Sequence, residues 1–323
     1  MTQVNWGIIG PGGIAGSFAK AIQEVNGSVY AVWGRNSDKT QAFAGEYQVE
    51  HVYEETKQLL QDDNVDVVYI ATPHSIHYEY IMDALKHGKH VFCEKAITMN
   101  GKQLQEIIDV AEAENLIVAE AMTLYHMPLY QKLAEMIQTG KIGKVNMINV
   151  TFGSCKEDDS SNRFFNPDLA GGGMLDIGTY ALSFVRFFLS SQPTELHTTV
   201  KKYQTGVDEQ SGIVMKNEDD EMAVISLAMR AKMPKRGIVA GDEGFITVDD
   251  FPRAQQATIT YTADGSVETI EAGDTKKALQ YEVEAVNRLI LEKGENWTLP
   301  LSRQVMELMD EARQQWELTY DFE

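Results

Sequence analysis

Apolar residues in the first third of the chain fall in short, nearly unbroken runs, with stretches of helical period between them. The runs are Val4-Asn5-Trp6-Gly7-Ile8-Ile9, Ser28–Trp33, Asp66–Ala71, Lys89–Glu94 and Leu116–Glu120. The helical stretches are Ile14–Glu24, Ile76–His87 and Asn100–Glu114. Continuous hydrophobicity suits strands covered on both faces, and regular alternation with helices predicts an α/β architecture built on a doubly wound parallel sheet.

After Met122 the rhythm changes. Tyr125-His126-Met127-Pro128 reads as a boundary, a helix is predicted over Leu129–Gln138, and Val145–Phe152 reads as a long strand. Further strands are predicted at Thr194–Tyr203, Ser211–Met215, Met222–Met229, Arg236–Ala240, Phe245–Val248, Ala257–Thr262 and Val267–Glu271, with Asp264-Gly265 as a hairpin turn. Successive strands joined by short turns form a largely antiparallel sheet. Helices Gln280–Leu291 and Ser302–Trp316 follow. The predicted division is residues 1–123, a nucleotide-type domain, and residues 124–323, an α/β domain with a large open sheet. A sheet of that size leaves an apolar face for a second copy of the chain, so a homodimer or higher homo-oligomer is expected through it.

The first strand runs into Gly10-Pro11-Gly12-Gly13-Ile14-Ala15, a G-x-G-x-x-A pattern between strand and helix. That context is what the dinucleotide fingerprint requires. Gly10 permits the tight turn, Gly12 admits a pyrophosphate close to the backbone, and Ala15 allows close helix–strand packing. Gly13 stands before Ile14, where a helix begins whose N-terminus faces the anion. The bland alternative is a glycine-rich turn with no ligand. After the second strand, an NAD site would show an acid for the ribose 2′-hydroxyl, but the residues are Gly34-Arg35-Asn36-Ser37. A guanidinium suits a 2′-phosphate, so NADP is favoured over NAD. A surface arginine, with Ser37 capping the next helix, is the alternative.

Two other stretches carry candidate chemistry. His90-Val91-Phe92-Cys93-Glu94-Lys95 ends an apolar strand in a carboxylate and an amine. An unpaired ammonium away from water is costly, so Lys95 fits best where a strand's carboxyl end opens into a ligand crevice. Gly171-Gly172-Gly173 precedes a helical pattern through Phe188, and on it Asp176 and Tyr180, four apart, share a face. A carboxylate and a phenol on one face suit proton transfer; a helix-start Asp and a packed Tyr are the alternative. His74 and His77 are three apart with no third ligand at useful spacing, so no metal is expected.

Composition narrows the field. The 323 residues are 43% hydrophobic and 24% charged, ordinary globular values. A formal charge of −20 disfavours nucleic acid and anionic membrane surfaces. The acidic runs Glu157-Asp158-Asp159 and Glu218-Asp219-Asp220-Glu221 read as solvated loops. Two cysteines, Cys93 and Cys155, fit a reducing, cytoplasmic setting. No export signal or run of ~18 apolar residues is apparent, so neither secretion nor membrane insertion is expected.

Taken together, Gly10-x-Gly12-x-x-Ala15, Thr72-Pro73-x-x-x-His77, Cys93-Glu94-Lys95 and Gly171-Gly172-Gly173 through Asp176-x-Gly178-x-Tyr180 resemble the glucose–fructose oxidoreductase / inositol dehydrogenase (Gfo/Idh/MocA) family over nearly the whole chain. The nearest branch is that of dimeric dihydrodiol dehydrogenase and NADP-dependent xylose dehydrogenase, similar in Gly34-Arg35 and in having Tyr180 where many relatives carry histidine. Two departures stand out: the family's Glu-Lys-Pro reads Glu94-Lys95-Ala96, and His74 replaces a common asparagine. The resemblance implies an N-terminal Rossmann domain and adds Thr72, Pro73, His74, His77, Glu94 and Lys95 to the cofactor contacts Gly10, Gly12, Gly13, Ile14 and Arg35. It also implies oligomers paired through the second sheet. Residues and resemblance together point to an oxidoreductase moving a hydride between NADP(H) and a carbinol or carbonyl carbon of a sugar, polyol or diol. Lys95 would stabilise the alkoxide, Tyr180 would move the proton, and Asp176 would bind a second hydroxyl or orient the lysine, with Glu94 holding Lys95 by charge pairing. The alternatives are an NAD-linked inositol or sugar dehydrogenase and a non-catalytic nucleotide- or sugar-sensing protein on the same fold.

Overall fold

The apolar runs of the first third become β1 (Trp6–Ile9), β2 (Val29–Trp33), β4 (Val67–Ile70), β5 (His90–Glu94) and β6 (Val118–Ala121), joined by a two-residue β3 (His51–Val52). All pair in parallel, in the order β3-β2-β1-β4-β5-β6. The direction of winding reverses between β1 and β4, and at such a point open α/β sheets bind ligands beyond the strand ends. Helices α1 (Gly13–Glu24), α2 (Ser37–Tyr47), α3 (Thr56–Leu60), α4 (His77–Lys86) and α5 (Gly101–Ala113) connect the strands. Asn36, rather than Ser37, caps α2: its side chain accepts from the Lys39 N–H at 2.9 Å. The core is aromatic. Phe18 stacks on Tyr69 with centroids 3.9 Å apart and meets Trp6 edge-on at 5.2 Å.

This computed structural model describes residues 4–323, in two units: the chain up to Ala121 with Lys276–Leu299, and Met122–Thr275 with Pro300–Glu323. Helix α8 (Ala278–Glu292), which the sequence reading gives to the second domain, therefore packs in the first unit. Val283 and Val286 join the buried cluster of Trp6 and Phe18, and Trp6 Nε1 donates to Asn287 Oδ1 at 3.1 Å. The apolar stripe of α8 shows that one face is buried but not against which element.

The second unit is built on an eight-stranded, mostly antiparallel sheet in the order β14-β13-β12-β11-β7-β10-β9-β8. Its strands are β7 (Val145–Gly153), β8 (Glu195–Lys202), β9 (Asp208–Lys216), β10 (Met222–Ala228), β11 (Met233–Gly241), β12 (Gly244–Asp249), β13 (Gln256–Tyr261) and β14 (Val267–Glu271). Only β7 and β10 run parallel. Helix α7 (Thr179–Phe188) packs on β7, β10 and β11, while α6 (Pro128–Gln138) and α9 (Thr298–Gln315) complete the unit. Of the two acidic runs, Glu221 is not solvated: it is buried, and its Oε2 accepts from the Ser190 N–H and the Asn217 amide. Among the described residues no helix is long and apolar enough to cross a membrane.

The seat of α7 depends on a missing side chain. A Cβ at Gly237 on β11 would lie 2.2 Å from Phe184 Cζ, and the Phe184 ring is boxed in by Tyr130, Phe188 and Phe251. Gly237→Ala is expected to destabilise the fold by about 1–3 kcal/mol, the usual cost of overpacking. A lowered thermal midpoint is the expected result, and an unchanged one would show that the ring has room to move.

Candidate active site

In the first unit the site gathers at the carboxyl ends of β1, β4 and β5. Gly10 turns the chain with φ of +93°, where a side chain would also press on the Ala71 carbonyl at 2.9 Å. A Cβ at Gly12 or Gly13 would meet nothing within 4 Å, so the space over this turn is open. Gly13 and Ile14 form the first turn of α1, whose leading N–H groups have no intrahelical acceptor. The cleft beside them is lined by Gly10, Gly12, Arg35, Lys39, Thr72, Pro73 and Tyr80, among others. Thr72 Oγ1 is buried there without a hydrogen-bond partner. An open anion-binding turn, an orphaned hydroxyl and two cations fit a dinucleotide carrying phosphate. Lys39 went unnoticed in the sequence because, three residues past Asn36, it reads as an ordinary position in the first turn of α2.

Lys95 follows β5 directly. From Val91 to Met99 only Glu94 and Lys95 are not buried. Glu94 Oε1 accepts from the Tyr69 hydroxyl at 2.5 Å, and Oε2 accepts from the Lys95 main-chain N–H at 3.3 Å. Glu94 thus holds Lys95 through its backbone. The Lys95–Ala96 peptide is cis. His74 Nε2 lies 3.0 Å from the Lys95 carbonyl, and the Ile97 N–H donates to buried Glu120 at 3.0 Å. His77 requires a correction. It has no exposed surface, and its ring spans the carbonyls of Thr72 (Nε2, 2.8 Å) and Ala96 (Nδ1, 3.0 Å). Burial pushes its imidazole below the usual range. As a neutral ring it has one N–H to donate, so it hydrogen-bonds to one of the two carbonyls while packing between the Thr72 turn and the segment after Lys95, with no exposed surface.

In the second unit, Gly171-Gly172-Gly173 leads into a π-helical turn, Met174–Gly178, and then α7. The predicted continuous α-helix is thus widened over its first turn, as π segments at functional sites often are. From Ala170 to Val185 the only residues not buried are Asp176 and Tyr180. Phe152 on β7 lies beside Tyr180, centroids 6.4 Å apart. Lys156 Nζ lies 4.0 Å from Asp176 Oδ2. No sequence signal marked Lys156, which sits in irregular chain after β7.

A Rossmann unit with an open glycine turn, and an open-sheet unit with a carboxylate and a phenol left unburied, are the features of a nucleotide-dependent oxidoreductase class. Comparison with known proteins agrees. The model of the oxidoreductase family with NAD-binding Rossmann fold (GFO_IDH_MocA) matches residues 4–122, and that of the GFO/IDH/MocA C-terminal domain matches residues 130–247. The chain belongs to this family. The D-xylose 1-dehydrogenase (NADP(+)) of Hypocrea jecorina is 31% identical, over 98% of this chain and 93% of the relative. The trans-1,2-dihydrobenzene-1,2-diol dehydrogenase of Xenopus tropicalis is 28% identical over 98% of each. In fold, the chain is similar to KijD10, a 3-ketoreductase from Actinomadura kijaniata solved with NADP, with a TM-score of 0.86 and 21% identity over 97% of this chain and 98% of that one.

Beneath the glycines lies Asp208. Its Oδ2 accepts from the Met174 N–H at 2.6 Å, and a Cβ at Gly172, where φ is +131°, would lie 2.3 Å from Oδ1. Burial pushes this carboxyl from 3.8 up to about 6, against the opposing pull of the Met174 N–H and Arg313. Between these values the folded chain holds a proton that the unfolded chain has released. The contribution of Asp208 to stability is therefore full below pH 3.8 and is lost as pH rises through about 6. Asp208→Asn keeps an acceptor for Met174 and removes the titration. Melting temperatures of parent and variant are expected to diverge across this window, the parent losing ground as pH rises. Parallel curves would contradict the assignment.

Proposed function

We propose that this protein is an NADP-dependent dehydrogenase or reductase acting on a CH–OH group of a sugar, polyol or diol, with Lys95, Tyr180 and Asp176 as its catalytic residues. The observation that carries this reading is exposure. In two long buried stretches, the residues left open are Glu94 with Lys95 and Asp176 with Tyr180. Folding has little reason to leave an ammonium, a carboxylate and a phenol as the openings in apolar surroundings; acid–base chemistry does. The names of the relatives, for D-xylose with NADP(+) and for a dihydrodiol, support the substrate class and the cofactor.

In this reading Gly10, Gly12, Gly13 and Ile14 bind the pyrophosphate through main-chain N–H groups and the α1 terminus. Arg35, with Lys39, takes the 2′-phosphate, and Thr72, Pro73 and His74 flank the cofactor. Bound NADP supplies the hydride acceptor or donor. Lys95 directs positive charge at the substrate oxygen, which favours the alkoxide. Tyr180 exchanges the hydroxyl proton, and Asp176 accepts from a second substrate hydroxyl. We further infer that the second sheet pairs with another copy of the chain, since Met147, Val214 and Phe245 are exposed along it. The free cysteines, one buried and one exposed, fit a reducing, cytoplasmic setting.

The cofactor reading predicts tighter binding of NADPH than of NADH. Arg35→Ala and Lys39→Ala should each weaken NADPH selectively, by about 1.5–3 kcal/mol for a hydrogen bond to a charged group. Fluorescence titration measures both cofactors, and equal affinities in the parent would sink the preference for NADP. Tyr180→Phe is expected to cut kcat by roughly 10²–10⁴ and to remove one ionisation from the pH–rate profile. Lys95→Met should cut kcat while NADPH binding stays near parental. Steady-state assays on D-xylose, an inositol and a dihydrodiol, with melts as folding control, test both variants; near-parental kcat in Tyr180→Phe removes the tyrosine from the mechanism. For assembly, light scattering at micromolar protein should give a species of at least twice the 36.1 kDa chain mass, and a 36.1 kDa species alone would contradict pairing.

A further inference from the structure

Lys156 makes an ionic contact with Asp176, and the lysine is well held for a residue of an irregular segment. Its main-chain N–H donates to the Met229 carbonyl at 2.7 Å, and its carbonyl accepts from Arg230 Nη1 at 2.9 Å. Arg230 is fixed in turn by Asp158, Nη2 to Oδ2 at 3.0 Å. The segment after β7 is thereby fastened to the chain that leaves β10. The Lys156 ammonium then lies 3.8 Å from the centroid of the Phe164 ring and 4.0 Å from Asp176 Oδ2.

Exposed ion pairs contribute little, because water screens them and two long side chains must be ordered to form them. Neither reason applies with full force here. The side chains of Lys156 and Asp176 are only 24% and 15% exposed. The lysine stem is anchored at its backbone and its ammonium rests on an aromatic face, so ordering is already done when the pair forms.

We propose that Lys156 is a positioning residue for Asp176: its ammonium, held on the Phe164 face, fixes where the carboxylate stands for a substrate hydroxyl. The inference rests on the reading of Asp176 as a substrate contact. It adds Lys156 to the residues proposed to act on the substrate, working through Asp176. Arginine could replace the lysine in this role; an apolar side chain of the same length could not.

A kinetic double-mutant cycle tests this, with NADP+ and D-xylose as probe, or trans-1,2-dihydrobenzene-1,2-diol if the parent does not oxidise D-xylose. Lys156→Met should raise the KM for the probe about tenfold, within the range of coupling between contacting residues. The KM for NADP+ and the melting temperature should stay near parental, and Lys156→Arg should recover most of the loss. The double variant with Asp176→Asn should bind the probe no worse than Asp176→Asn alone. If the two effects multiply instead, Lys156 does not act through Asp176 and the inference is overturned. A parental KM in Lys156→Met beside a raised KM in Asp176→Asn overturns the inference alone and leaves the reading of Asp176 standing. A parental KM in Asp176→Asn removes the reading of Asp176, and with it this inference. A parent that oxidises neither probe overturns both. Should Lys156→Met fail to fold, Lys156→Gln carries the same comparison.

Discussion

The hydrogen bond from Tyr69 to Glu94 joins the interior of the first unit to the edge that carries Lys95. Tyr69 lies wholly inside, stacked on Phe18 and packed beside Phe92. A hydroxyl buried there without a partner would carry its full desolvation cost, so the packing that fixes the ring also demands an acceptor at one point in space. Glu94 is that acceptor, and its second oxygen holds the N–H of Lys95. Burial and the carboxylate push the phenol well above its ordinary range, so Tyr69 remains a neutral donor at any working pH. The position of Lys95 is therefore inherited from an aromatic core. His77, between the Thr72 and Ala96 carbonyls, steadies the same edge from the side of α4.

The second unit meets a similar demand by other means. Its candidate groups stand on a helical stretch that is otherwise buried, and the stretch is entered through glycines that sit against a carboxylate. The stretch from Arg313 to Glu323 takes part: the Tyr320 hydroxyl donates to the Gly171 carbonyl at 2.6 Å, and Arg313 binds Glu323 at 2.8 Å. The glycines here serve close approach to Asp208 rather than flexibility. The π turn then sets the register, so that Asp176 and Tyr180 open to solvent while Leu175, Ile177 and Thr179 pack.

Much of the architecture was legible in the residues, because period and punctuation are local properties. Unbroken apolar runs, Gly10 through Ala15 and the Asp264-Gly265 hairpin each carry their own physics. What escaped the sequence is what depends on distant partners. β3 has two residues, too few for a period. The π turn differs from an α turn by a single residue of register, which spacing alone does not reveal. Lys156 owes its place to Met229 and Arg230, more than seventy positions away in sequence. His77 belongs to a motif, and the motif says nothing of its burial. The path of α8 was hidden for the same reason: an amphipathic helix names its buried face, not its neighbour.

That path bears on how the protein is made. The parallel sheet is encoded almost entirely before residue 122, yet the cluster around Trp6 and Phe18 is finished only by Val283 and Val286. A nascent chain on the ribosome thus holds every strand of the sheet while the cluster still lacks the two valines of α8. Domains generally fold as units, the N-terminal ones first during synthesis; this one receives α8 only after residue 277. A fragment cut at the apparent boundary would carry the whole glycine fingerprint and still lack part of its interior, so the nucleotide unit cannot be moved as a simple N-terminal cassette.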